Sequence, residues 1–329
     1  MARANKTIIS IAVPVLKLIV GSSLFYFLIS KVGGRLIIDN ISGLNPLAFT
    51  AAIGLYLLGA VFSTLRWKLL IPSSIRTGRL FSMYMIGSFF NTYMPGMIGG
   101  DAVKAFYLSR ELKGFCSDGN GKNIFRTTPP LPVAIGSIFM DRYIGLSALL
   151  VIAMLAIPFG ISYLKNASKD LPILWVIPTA VMIFAGTSVI IFKFRLGQRL
   201  DFLSNTYHYF QEYAYQKRIL LGALLYSVLV QFLGILAVYV LGKGLLLPVS
   251  FLSLLIFLPI IVLFSMIPLS ISGIGLREGA FVFLLGTIGI PPAAAISLSL
   301  VWFLSVFVAG IWGLVEYLRF KSMLGREEK

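Results

Sequence analysis

Pro95-Gly96-Met97-Ile98-Gly99-Gly100-Asp101-Ala102-Val103-Lys104 interrupts one apolar segment of this chain, and Pro268-Leu269-Ser270-Ile271-Ser272-Gly273-Ile274-Gly275-Leu276-Arg277-Glu278 interrupts another. Aligned on their prolines, the two share an isoleucine (Ile98, Ile271), a glycine (Gly100, Gly273) and a basic residue (Lys104, Arg277) at equal offsets. Proline and glycine break helices, and broken backbone at membrane depth is tolerated only where protein or a wet cavity satisfies its polar groups. Breaks at corresponding positions of two halves point to a binding site of the transporter kind.

The surrounding composition makes the membrane the solvent. Of 329 residues, 58% are hydrophobic and only 12% charged, against the roughly 25% charged of soluble domains. Several apolar runs reach the ~20 residues that cross the hydrocarbon as a helix. The lone Cys116 excludes an internal disulfide framework and a thiolate metal cluster, and the lone His208 excludes a multi-histidine metal or haem site. No cofactor is expected. The net charge of +16 is unevenly spread. Arg3, Lys6, Arg66, Lys68, Arg76 and Arg79 and most later basic residues fall in flanks on one side. Lys31, Arg35, Lys165, Lys169 and Lys243 fall on the other. That asymmetry is the positive-inside bias, so the basicity sets orientation and anionic-headgroup contact and does not call for nucleic acid.

The chain reads as an all-α polytopic membrane protein of about eight membrane segments, one domain over 1–329. A signal-anchor helix spans about 7–30 with a cytoplasmic N-terminus, and Lys17 lies inside it. A second span, 46–66, ends in Arg66-Trp67-Lys68, an interface anchor. The first broken unit, 80–110, has basic residues at both ends and reads as re-entrant from the cytoplasmic side. A polar cytoplasmic linker, 111–132, follows. Long spans cover 133–160, 172–194 and 218–241, with an amphipathic basic stretch over 195–217. The second broken unit, 249–288, opens to the opposite face, and a last helix, 293–318, returns to the cytoplasm. Opposed broken units of this kind suggest an inverted repeat.

Only four of the 12 acidic residues lie in or beside apolar segments, namely Asp101, Asp141, Glu278 and Glu316. A charge at the bilayer centre costs roughly 2.5–3.5 kcal/mol on insertion scales, so each needs a partner or water. Asp101 and Lys104, three apart, share a helix face. Asp141-Arg142 and Arg277-Glu278 are adjacent, about 100° apart on a helix, and are expected to reach different partners. Glu316 has Arg319 one turn on. Each pair is open to two readings, a neutralising salt bridge or a ligand site. The broken backbone favours the second at Asp101–Lys104 and Arg277–Glu278. Helices restarting near Gly100 and Gly275 would present free N–H groups and a positive dipole end, which suits an anion. Lys104 and Arg277 would supply full charge, Asn91 an amide, and the glycines close approach.

These residues also carry a family resemblance. Asn91 through Asp101 followed by Arg110, then Asp141-Arg142 with Gly145, then Pro268 through Gly279, in that order and spacing, resemble the flippase-like lysylphosphatidylglycerol synthase transmembrane-domain family over nearly the whole chain. The resemblance implies about eight membrane segments with two re-entrant elements. It also implies a domain that, in the best-understood members, moves an aminoacylated phospholipid between leaflets ahead of a soluble aminoacyl-transferase domain. With the chain ending at Lys329, lipid aminoacylation is not expected of it. Matching positions give Asn91, Gly99, Gly100, Asp101, Arg110, Asp141, Arg142, Arg277 and Glu278 as the functional set, to which the breaks themselves add Lys104, Gly273 and Gly275.

The expected function is translocation, flippase- or scramblase-like, of an anionic or phosphate-bearing lipid whose headgroup sits at the two breaks. The lipid is a phospholipid or a polyprenyl phosphate. No catalytic motif or metal cluster is present in the sequence, so no enzyme activity is expected. The alternatives are a membrane-embedded transferase, or transferase subunit, acting on a polyprenyl-phosphate carrier beside a lipid- or glycan-modifying partner, and a scaffold with purely structural ion pairs. Localisation is expected in a prokaryotic cytoplasmic membrane with both termini cytoplasmic.

Overall fold

Asn45 and Pro46 start the first long helix: the Asn45 carboxamide oxygen accepts from the Leu47 N–H at 2.9 Å, and proline occupies the first helical turn. The computed structural model describes residues 19, 21–71, 75–93, 99–117, 130–167, 173–193, 216–267 and 273–327. Both proline-glycine turns themselves, Lys17, His208, most of the polar linker and nearly all of the 195–217 stretch lie outside these residues.

The described residues contain helices and no strand. In chain order they are α1 (21–32), α2 (Gly34–Ser42), α3 (Pro46–Leu69), α4 (Thr77–Tyr93), α5 (Gly99–Ser117), α6 (Pro130–Ala167), α7 (Val176–Lys193), α8 (Lys217–Gly244), α9 (Phe251–Ser265), α10 (Leu276–Gly286) and α11 (Pro292–Glu327). A 3₁₀ turn, Ile173–Trp175, precedes α7. Among the described residues, four segments are long and apolar enough to cross a membrane: Pro46–Leu69, Pro130–Tyr163, Lys217–Gly244 and Pro292–Phe320. The protein is an all-helical, polytopic membrane protein. α6 runs further at both ends than the sequence suggested. It carries Pro158 and a non-helical Gly160, against which the Ile256 side chain of α9 packs.

α3 and α8 pack antiparallel. The Asn45 N–H donates to the Gly244 carbonyl at 3.0 Å at one end, and Leu69 meets Gly222 at the other. α4 and α5 form an antiparallel helix pair around the first break. Arg79 bridges Glu111 at its open end, while Asn91 and Gly87 meet Gly100 beside the break. With 17 residues, α4 is about 25 Å long, short of the ~30 Å hydrocarbon thickness. Helices in lipid gain little from apolar burial and rely on close approach at small residues. A Cβ on Gly100 would lie 1.9 Å from the Gly87 carbonyl oxygen, and one on Gly313 of α11 would lie 2.1 Å from that of Met85. Gly100→Ala is therefore expected to spread the α4–α5 pair and cost about 1–3 kcal/mol, seen as a lower melting temperature of the detergent-solubilised protein. An unchanged melting temperature would contradict this packing.

α11 organises both broken units. Tyr93, beside the first break, donates from its hydroxyl to the Phe307 carbonyl at 2.9 Å and packs its ring 4.2 Å from that of Phe307. Arg277, just after the second break, lies 4.9 Å from the Phe303 ring. Phe303 and Phe307 are one turn apart near the middle of α11, their rings 6.1 Å apart. The contacts of α4 and α10 reach different ends of α11. Ser82 of α4 reaches Glu316 near the C-terminal part of α11. Val249, ahead of α9, meets Gly242 at the end of α8, and α10 turns directly into the start of α11.

Candidate functional site

Two polar clusters form at the helices that follow the breaks, and they differ in charge. The first is assembled from α3, α4, α5, α6 and α8. Adjacent Asp141 and Arg142 reach different partners, as the 100° step requires. Asp141 turns to α3 and accepts from Arg66 Nε at 2.6 Å. Arg142 turns to α5 and makes a two-pronged contact with Asp101, Nε to Oδ2 at 3.2 Å and Nη2 to Oδ1 at 3.0 Å. Arg66 also donates to Ser227 Oγ at 2.9 Å. The bare Cα of Gly145 lets it pass, since a Cβ there would lie 3.2 Å from Nη1. Gln231 donates to the Gly145 carbonyl at 3.2 Å.

Asp101 therefore pairs with Arg142 and not with Lys104, correcting the sequence expectation of an intrahelical pair. The α5 backbone places Lys104 a turn further on, and its stem lies across Gly87. A Cβ on Gly87 would come within 2.4 Å of that stem. The ammonium lies 4.0 Å from the centroid of the Tyr84 ring and 5.8 Å from that of Trp67. Ring faces attract a cation but carry no net charge. Lys104 is 5% exposed, and among the described residues it has no carboxylate partner. Three cations, Arg66, Lys104 and Arg142, thus face two carboxylates, Asp101 and Asp141. One positive charge is left over inside the bundle. Asn91 caps α5 by accepting from the Gly100 N–H at 3.0 Å, and its amide lies 3.5 Å from Asp101. Gly99 begins α5. Arg110 lies six residues beyond Lys104, exposed and 5.9 Å from the Phe106 ring.

The second cluster is neutral. Glu278, 1% exposed, accepts from Arg277 Nη2 at 2.6 Å and Nε at 3.0 Å, and from Ser299 Oγ at 3.1 Å. The adjacent pair was expected to diverge. It meets instead because both side chains fold onto Ser299 of α11, which also receives Arg277 Nε at 3.0 Å. The other Glu278 oxygen accepts from the Gly275 N–H at 2.7 Å, so the chain's own carboxylate sits at this helix N-terminus. Gly273 and Gly275 have φ of 74° and 85°, a region that disfavours side chains. Gly275 is further closed in by Leu24 and Gly21 of α1. Among the described residues no hydrogen bond, ion pair or ring contact joins Arg277 or Glu278 to Lys104 or Asp101.

Arg66 and Trp67 were read from sequence as an interface anchor; both are buried instead, at 5% and 1% exposure. Trp67 donates from its indole to Ser137 at 3.2 Å, and Lys68 alone keeps an end-of-helix role, donating to Thr77 at 2.7 Å. Glu316 bonds Arg319 at 3.3 Å as expected and also accepts from Ser82 and Trp312.

The family model described as the lysylphosphatidylglycerol synthase TM region matches residues 15–313. No curated protein matches the chain at a significant level.

Proposed function

The chain belongs to the lysylphosphatidylglycerol synthase TM-region family, a family of membrane proteins tied to lipid handling, and on that premise we propose that it moves an anionic, phosphate-bearing lipid between leaflets. The observation that carries the reading is the surplus charge of Lys104. A buried cation without a counter-ion is costly in a membrane protein. A lipid phosphate brought to α5 would supply the missing negative charge. It would meet there the Lys104 ammonium and the unused N–H groups of Arg142, whose side chain is 52% exposed.

In this reading the α4–α5 and α9–α10 pairs are re-entrant units of an inverted repeat, each open to one face, among about eight membrane segments. They rock about the middle of α11, so that the headgroup site is exposed to each side in turn. The basic flanks face the cytoplasm, in a cell membrane, and the headgroup crosses while the acyl chains stay in lipid. The chain performs no covalent chemistry of its own, and an enzyme that makes or consumes the lipid would act beside it.

The test is selective stabilisation. A ligand at about 100 times its Kd stabilises the state that binds it by ~2.7 kcal/mol. Phosphatidylglycerol added to detergent-solubilised protein is expected to raise the melting temperature above that in phosphatidylcholine, and Lys104→Met to remove the difference. Equal shifts with both lipids in the unsubstituted protein would contradict an anion site.

A further inference from the structure

The exposed Arg142 guanidinium stands at the foot of a stripe that the headgroup reading leaves unused. Arg142, Leu146 and Leu150 lie at i, i+4 and i+8 on α6, one face of the helix. Leu146 and Leu150 floor a lateral groove of about 750 Å³ between α6, α7 and the end of α9, completed by Trp175, Thr179, Ile183 and Leu263 among others. The foot of this groove is level with Arg142. The neighbouring Tyr143 hydroxyl lies 2.7 Å from Ser188 of α7, and the Tyr143 ring stacks on Phe184 at 4.8 Å. From there the groove follows α7 to Trp175. Thr187 lies twelve residue steps from Trp175, which corresponds to about 18 Å of helix.

We propose that this groove holds one acyl chain of a diacyl anionic phospholipid whose phosphate is engaged at Arg142 and Lys104. The proposal rests on the headgroup reading above and adds the path of the chain and the class of substrate. Three observations select the occupant. The groove is apolar along its length, and its floor residue Leu146 lies one turn of α6 from Arg142 of the cluster that carries surplus positive charge. Its length matches one chain in one leaflet, about half of a ~30 Å hydrocarbon core; a polyprenyl carrier, several times longer, would leave most of itself outside. A second lateral groove, between α3 and α11, ends at Glu316 and Arg319. That pair offers no net charge to a phosphate, so the same argument does not extend to it.

The experiment uses the full chain in liposomes with phosphatidylglycerol carrying a photoreactive diazirine in one acyl chain, and maps the adducts by mass spectrometry. Ile183 in the groove and Leu225 on α8 are equally exposed, at 62% each, so chance contact with bulk lipid labels them alike. The proposal expects Leu146, Leu150, Thr179 and Ile183 to be labelled severalfold above Leu225. It expects Arg142→Ala and Ala180→Trp each to reduce the groove adducts and leave Leu225 unchanged. Equal labelling around the belt would overturn it, as would displacement of the probe by a polyprenyl phosphate as effectively as by unlabelled phosphatidylglycerol. Groove adducts in a protein that exchanges lipids no faster than empty liposomes would support the groove while contradicting translocation.

Discussion

Asp141→Asn is expected to be the most destabilising single substitution in the polar clusters, costing about 3–5 kcal/mol, because it leaves a buried arginine without its counter-ion. Arg66 is 5% exposed and, among the described residues, its one carboxylate partner is Asp141, while Ser227 offers a neutral dipole. The asparagine keeps the shape and one acceptor oxygen, so the loss reports charge and not a cavity. Combining Arg66→Met with Asp141→Leu removes both charges and is expected to recover most of the stability, since replacing a whole buried pair by apolar groups is often near neutral. Denaturant or thermal unfolding in detergent measures both. A melting temperature for Asp141→Asn equal to that of the unsubstituted protein would show that Arg66 finds another anion or water.

Lys104→Met should do the opposite: leave the fold and remove the transport. The substitution deletes a charge that holds no carboxylate, keeps the bulk of the stem over Gly87, and removes an unfavourable buried charge. Stability is expected to stay level or rise. For an anionic headgroup passing the site, losing a close buried partner costs about 2–4 kcal/mol at the effective dielectric of such sites, a slowing of roughly 30- to 700-fold. Lipids without net charge should be affected little. Lys104→Arg keeps the charge and is expected to retain much of the rate, which separates electrostatics from packing. Leaflet exchange of both lipid types in reconstituted liposomes reads all three proteins.

The membrane class and most helix ends were legible because hydropathy, proline and glycine act locally. Pro46 and Gly275 mark helix starts by mechanisms that need no tertiary structure. The split of Asp141 from Arg142 followed from helical geometry alone. Partners across helices were not legible. Arg66 stands where the positive-inside pattern puts snorkelling cations, and only the packing of α6 and α8 against α3 turns it inward. Lys104 lost Asp101 to Arg142 for the same reason, a helix forty residues away competing for one carboxylate. At Arg277 and Glu278 the third participant, Ser299, is supplied by α11. A pairing rule built on sequence spacing has no access to such residues.

The central claim, that an anionic headgroup crosses at the α5 cluster, is tested most directly by leaflet exchange in liposomes reconstituted with the purified full chain. Headgroup-labelled phosphatidylglycerol and phosphatidylcholine would be compared in the unsubstituted protein and in Lys104→Met at matched protein density. Exchange of phosphatidylglycerol well above the empty-liposome rate and above phosphatidylcholine, lost in folded Lys104→Met, is the predicted result. Exchange at the empty-liposome rate for both lipids, or equally fast exchange of both that Lys104→Met leaves unchanged, would contradict it.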